Sequence, residues 1–304
     1  MIIRLVFLFL LTLCSCSSSY KEEEQIRVSI LRGPSAIAFA GWIENPPVIN
    51  GKPLDIQVID APDKIQALLV KGETDIAALP MISAANLYNR GISFHLLGCP
   101  VWGTLYMAGR QTYEEKKAPK PDLYLFGAGT TPDILTRYYL QQNRLDYKLN
   151  YTFSTAPEIL QGLLAGKIET AVLGEPFLSM ALRKDSTLRI LADLNNQGGA
   201  SPGFPQTAIV CSPALADKSS TIDSLLQVSC RFATEHPEEA IRILEKQGIF
   251  KPGMLTPEGI ERCRIHYQSA SEAKGSIAAF LQLIESYGPK ALNGKLPDGR
   301  FYIL

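Results

Sequence analysis

Ala61–Pro80 reads APDKIQALLVKGETDIAALP, and Ala156–Pro176 reads APEILQGLLAGKIETAVLGEP. Both open on Ala-Pro-acid and carry Gln at the sixth place of a short apolar, helix-like run. Both then pass through Lys, Gly and an acid, and end in an apolar strand that stops at Pro. The two Ala-Pro sites lie 95 residues apart, and the same offset holds upstream. Ile26–Leu31 (IRVSIL), Arg32–Ser35 (RGPS) and the helix-like AIAFAGWIE are matched by Pro121–Phe126 (PDLYLF), Gly127–Pro132 (GAGTTP) and DILTRYYLQQ, with Ser35 opposite Thr130. Asp55–Ile59 and Leu149–Phe153 supply the intervening strands. Each copy is therefore strand, Gly-bearing turn, helix, strand, Ala-Pro, helix, strand. Such a series demands parallel strands joined by helical crossovers. Written twice, it predicts an α/β protein of two lobes, each a mainly parallel sheet flanked by helices.

The rest of the chain fits around the two copies. Gly91–Gly109 reads as an apolar strand pair broken by Gly98, Pro100 and Gly103, and Gln111–Pro119 as an exposed polar connection. Ile190–Leu194 is a strand, Asn195–Pro205 a Gly/Pro-rich loop and Thr207–Cys211 one more buried strand. The remainder reads as helices at Ile222–Glu235, Pro237–Gln247, Pro257–Gln268 and Ile277–Tyr287, with Asp223 and Glu238 near helix starts, where acids suit the macrodipole. This layout assigns 26–107 plus 207–304 to lobe one and 108–206 to lobe two. The chain crosses between them near Tyr106–Arg110 and again near Phe204–Thr207. A cleft between two lobes on a two-segment hinge suits a small ligand, because closure buries it from both sides.

The N-terminus points to export. Met1–Arg4 is a short positive region, followed by the apolar run Leu5–Leu13, too short to span a bilayer as a helix. Leu13-Cys14-Ser15-Cys16 resembles the lipobox of bacterial lipoproteins, which makes 1–15 a signal sequence and Cys16 the lipidated residue. The polar segment 16–25 then reads as a solvated tether. Its Lys followed by acids is either a surface-export tag or a plain spacer. Expected localisation is membrane-anchored, on the periplasmic side or at the cell surface. Thirty basic residues balance thirty acidic ones, so no bulk field recruits nucleic acid. Cys99, Cys211, Cys230 and Cys263 lack the paired spacing of a zinc site and read mostly as buried free thiols, with any disulfide among them left open. His95, His236 and His266 are isolated, so neither a metal nor a cofactor is expected.

In parallel α/β lobes, ligands bind beyond the carboxyl ends of strands, where helices begin. The matched turns put Arg32, Gly33 and Ser35 of one lobe and Thr130 and Thr131 of the other at such places. Their hydroxyls and backbone N–H groups either grip a polar ligand or cap their own helices. The other strand ends offer Ser83 and Glu175; the carboxylate either accepts from a ligand, pairs with Arg32 or caps the next helix. Trp102, beside Gly103 near the first crossing, is either a flat wall for a ring or a core residue. Phe204 and Gln206 flank the second crossing. Gly127-Ala128-Gly129 is no dinucleotide fingerprint, since Pro stands at 132. No Ser–His–Asp or Cys–His arrangement and no GxSxG occurs, so an enzyme is not expected.

Several stretches resemble one family: LRGPSAIAFAGWIE, KGETDIAALPMISAANLYNRG, LLGCPVWGTLYMAG, GAGTTPDIL, LLAGKIETAVLGEPFLSMAL and the terminal GKLPDGRFYIL. Together they look like solute-binding proteins of ABC importers, of the nitrate/sulfonate/taurine and thiamine-pyrimidine-precursor branch. The resemblance implies the type II periplasmic-binding-protein fold and a small organic solute, sulfonate, pyrimidine-like or similar. It also implies an ABC permease as partner and a monomeric binding protein. Carried over, its cleft contacts fall on Gly33, Ser35, Ser83, Trp102, Thr130, Thr131 and Glu175, with Arg32 as the one basic residue placed for an oxyanion. Two other readings stand beside this one: a dehydratase-like enzyme on the same scaffold, and a surface or sensor binding protein without a transporter.

Overall fold

The computed structural model describes residues 25–110, 120–196 and 203–303. The signal sequence, Cys16, the tether up to 24 and the connection at 111–119 lie outside the described residues. The first copy of the repeat folds as β1 (Ile26–Leu31), α1 (Pro34–Ala38), α2 (Ala40–Glu44), the short β2 (Val48–Ile49), β3 (Lys52–Ile59), α3 (Pro62–Lys71) and β4 (Ile76–Pro80). After it come α4 (Met81–Asn89), β5 (His95–Val101) and β6 (Leu105–Gly109). The second copy gives β7 (Asp122–Tyr124), α5 (Thr131–Gln142), β8 (Lys148–Asn150), α6 (Ala156–Leu164) and β9 (Thr170–Gly174), then α7 (Phe177–Lys184) and β10 (Arg189–Asp193). The tail adds β11 (Thr207–Cys211), α8 (Ser219–Glu235), α9 (Pro237–Lys246), α10 (Pro257–Arg262), β12 (Ile265–Ser269) and α11 (Ala270–Tyr287).

These strands make two sheets, ordered β12-β5-β11-β4-β1-β3-β2 and β10-β6-β9-β7-β8. Each contains the three strands of one copy side by side, β4-β1-β3 and β9-β7-β8, paired in parallel. The repeat is thus a repeat of topology. It also extends further than the sequence echo. β11 runs antiparallel to β4, and β6 antiparallel to β9; β5 and β10 then pair antiparallel with β11 and β6. Lobe one takes β11 and β12 from the chain after its return, lobe two is built wholly between the crossings, and both sheets are mixed. β4 (IAALP) and β9 (TAVLG) are buried almost throughout, as central strands covered on both faces must be.

Several expectations are corrected. β5 and β6 do not pair with each other; they belong to different sheets, so the first crossing is Trp102–Thr104 rather than Tyr106–Arg110. Gly98 and Pro100, read as breakers, sit inside β5. The proposed lobe limit at 107/108 would cut through β6 and belongs at the crossing instead. The helix expected over Pro257–Gln268 stops at Arg262. Arg264 turns the chain with a positive φ of 51°, and Ile265–Ser269 becomes an edge strand that buries Ile265 and Tyr267 against β5. Asp223 is likewise not a dipole acid at a helix start. It lies one turn into α8, where its half-buried carboxylate accepts from the Tyr267 hydroxyl and is pushed up by burial. Cys99, Cys211, Cys230 and Cys263 are free and buried.

The packing does not respect the lobes. One core cluster is local to lobe one and another to lobe two, but a third joins Leu79, Met81 and Phe280 of one to Met107, Leu125, Ile134 and Val172 of the other. Each large side chain so buried contributes about 1.5–3 kcal/mol. The end of α11 clamps onto α5: Arg137 donates to the Tyr287 carbonyl at 3.4–3.5 Å, and Tyr138 meets Tyr287 edge-on at 6.0 Å. Among the described residues no helix is long and apolar enough to cross a membrane.

Candidate ligand cleft

A cleft of about 580 Å³ opens between the two sheets. The ends of β1, β4 and β9 contribute Leu31, Pro80 and Gly174 to its lining, and five helices of eight or more residues begin on it. Their first turns supply Pro62 of α3, Ile82 and Ser83 of α4, Thr131 and Pro132 of α5, Ala156 of α6 and Phe177 of α7. Unsatisfied N–H groups and the positive ends of helix dipoles collect there, which suits acceptor atoms on a ligand. Leu105, Phe126 and Phe204 add apolar wall, and Phe204 is held by stacking on Phe280 at 5.7 Å.

Of the residues singled out in the sequence, Ser35, Ser83, Thr130, Thr131, Glu175, Phe204 and Gln206 line this cleft. Ser35 Oγ lies 3.0 Å from Thr207 Oγ1, and the two buried hydroxyls satisfy each other. Thr130 stands at the N-cap of α5, yet its hydroxyl donates back to the Gly127 carbonyl at 2.5 Å instead of accepting from the helix. Ser83 and Thr131 make no side-chain hydrogen bond among those described, and both reach the cleft.

Four residues fall elsewhere. Arg32 pairs with Asp60 and donates to the Ile249 carbonyl on lobe one, so it neither lines the cleft nor meets Glu175. Gly33 serves the backbone: its φ of 118° lets β1 turn into α1. Trp102 is fully buried and donates from Nε1 to the His266 carbonyl at 2.7 Å, which makes it core rather than a wall. Gly103, at φ 146°, lies where any side chain would strike Asn195. These four were placed near the cleft by chain position, which does not show which way a residue faces.

Glu175 turns out to be a strut. Its side chain is 1% exposed, with one oxygen on Arg262 Nε; the other accepts from Ser179 N and Oγ at 3.2 and 2.7 Å. Arg262 also donates to Ser179 Oγ at 2.8 Å. The cap of α7 in lobe two is thereby bolted to α10 of lobe one. Among the described residues no Lys, Arg or His lines the cleft, and the one carboxylate that does, Glu175, spends its charge on Arg262.

The sequence reading missed several cleft and hinge residues. Gln66, Asn86, Thr104 and Thr207 line the cleft, yet only Gln66 had a signal, as the shared Gln of the repeat. Asn195 is fully buried between the crossings and accepts through Oδ1 from Thr104 N and Leu105 N at 2.8 and 2.9 Å. Asp133 braces the Gly127–Thr130 turn. Its carboxylate accepts from Gly129 N at 2.7 Å, from Tyr151 OH at 2.6 Å and from Arg137 at 3.0 Å. Burial alone would raise its pKa, but the Arg137, Tyr151 and Gly129 hydrogen bonds outweigh that and hold it below the usual value.

A lowered native pKa gives stability that is present above the unfolded value, near 3.9, and is lost as pH falls through the native one. Asp133→Asn is accordingly expected to destabilise by about 2 kcal/mol at neutral pH. The difference should shrink below about pH 4. Urea melts of both proteins across that range check it, and a pH-independent gap would refute the assignment.

No protein-family model matches the chain, and no curated protein does. Among solved structures, an ABC transporter from Parabacteroides distasonis is 57% identical, with a TM-score of 0.87 over 91% of this chain and 98% of that one. The periplasmic aliphatic sulphonate binding protein SsuA from Escherichia coli shares 16% identity at a TM-score of 0.69, covering 92% of both chains. The periplasmic nitrate-binding protein NrtA from Synechocystis shares 14% at 0.59, covering 88% of this chain and 82% of that one. The last two are similar in fold alone. With two mixed sheets, a cleft between them and a relative of such high identity, the chain belongs to the ABC-transporter family of that relative and has the two-lobed periplasmic-binding-protein fold.

Proposed function

We propose that this protein is the extracytoplasmic solute-binding component of an ABC importer, tethered to the membrane by a lipid on Cys16 and handing a small organic solute to a permease. The observation that carries the reading is the cleft itself. Both lobes line it, strand ends and five helix starts open onto it, and two chain crossings join its walls. Contacts made from both lobes at once exist only in the closed form, so ligand binding shifts the population toward closure. The polar residues on the cleft orient the solute, while Phe126, Phe177 and Phe204 exclude water around its apolar body. Binding rather than turnover is the expected activity, and the mature protein works as a monomer.

Protein lacking residues 1–24 is expected to gain thermal stability with one member of a panel of sulfonates, pyrimidines, nitrate and amino acids. At a hundredfold excess over Kd the gain amounts to about 2.7 kcal/mol. Chemical conversion of the bound compound would sink the binding-protein reading in favour of an enzyme. Retention of the full chain in the detergent phase, lost in Cys16→Ala, checks the anchor.

A further inference from the structure

We propose that Gln206 is the polar anchor that selects the ligand, and that the ligand is an uncharged organic molecule whose edge sets an N–H or O–H donor beside an acceptor, as an amide, lactam or amino-heterocycle does. The inference rests on the solute-binding reading above and narrows its substrate class. Three observations carry it. First, the main chain of Gln206 is fixed on both sides: its N–H donates to the Val101 carbonyl at 2.9 Å, and its carbonyl accepts from Met81 N at 2.9 Å. Second, its side chain lines the cleft and makes no hydrogen bond among those described, with Oε1 buried and without a partner. Third, several of the other polar groups nearby are committed, while Ser83 and Thr131 bring hydroxyls with no side-chain hydrogen bond among those described. Asn86 Nδ2 donates to the Ala291 carbonyl at 2.9 Å, Ser35 and Thr207 hold each other, and Glu175 is spent on Arg262 and Ser179.

A carboxamide offers one acceptor and one donor side by side. The acceptor can be satisfied only by a donor, and no group among the described residues supplies one to Oε1. A ligand that brings both complements closes the pair. A donor-free oxyanion leaves Oε1 orphaned, and it enters a cleft that no basic side chain lines among the described residues. The helix starts favour an acceptor on the ligand, which an amide-like edge also has, but they do nothing for Oε1.

The test uses the purified full chain. Compounds released on denaturation are identified by mass spectrometry, and uracil, cytosine and benzamide are titrated against nitrate and ethanesulfonate by calorimetry. The expected results are a donor-bearing released compound, binding of at least one amide-edged probe, and no binding of the two oxyanions. Gln206→Leu and the straighter Gln206→Met are both expected to weaken that binding about 10-fold or more while melting like the parent. Binding of nitrate or ethanesulfonate, or undiminished binding in both variants, overturns the proposal and leaves solute binding intact. If no compound is released and no probe binds, solute binding and the proposal fall together.

Discussion

Gly203→Ala is expected to be the most damaging small substitution in the protein. Gly203 ends the second crossing against the first, at φ 154°, and an added Cβ would stand 1.6 Å from the Trp102 carbonyl oxygen. That atom is backbone, so no side chain can swing aside. Trp102 itself is pinned by its bonds to the Arg264 and His266 carbonyls. Backbone strain and overpacking each cost about 1–3 kcal/mol, which puts the loss on the order of 4 kcal/mol. The melting temperature should fall by roughly 10 °C. Gly275→Ala, in α11 with nothing within 4 Å of the new methyl, is the control. It should be neutral or stabilising by up to about 1 kcal/mol. Similar melting of the two variants would show that the crossings are not in backbone contact.

Glu175→Ala comes second. Removing the carboxylate strands Arg262 and Ser179 at the junction of α7 and α10, and breaking a buried pair in this way costs about 3–5 kcal/mol. Arg262 is 21% exposed, so the lower end applies. Glu175→Ala combined with Arg262→Met should recover much of the loss, because no unpaired charge then remains. Denaturant melts of the single and double variants give the coupling directly. Ligand affinity of the folded single variant should change far less than its stability. Wild-type melting with lost ligand binding would return Glu175 to the role of a ligand contact.

How much of this was written in the sequence depends on the range of the interaction. The repeat exposed the β-α-β-α-β order of both lobes because strand period, Gly turns and Ala-Pro helix starts are local. The same local signals placed Ser35, Ser83, Thr130, Thr131, Phe204 and Gln206 on the cleft. The partner of Glu175 stands 87 residues away, and Arg32 meets Asp60 at 28 and the Ile249 carbonyl at 217, so no local pattern could name them. The first crossing was misplaced for a similar reason. Gly98 and Gly103 look alike as letters, yet the first is a close approach inside β5 and the second a bend between sheets. The strand at Ile265–Ser269 looked helical because its pairing partner, β5, lies more than 160 residues earlier.

The grip of α11 on α5 bears on how the cleft can move. Two crossings alone would leave the lobes swinging like a door on two pins. The Arg137–Tyr287 and Tyr138–Tyr287 contacts and the apolar cluster around Ile134 and Ile284 make a third support, set apart from the other two. Bodies held at three separated places do not swing freely; one support must part or slide. Apolar packing resists being pulled open far more than being sheared, since sliding keeps its area out of water. Any closure of the cleft has to carry the α5–α11 seam along as a sliding contact, which favours a short stroke over a wide swing.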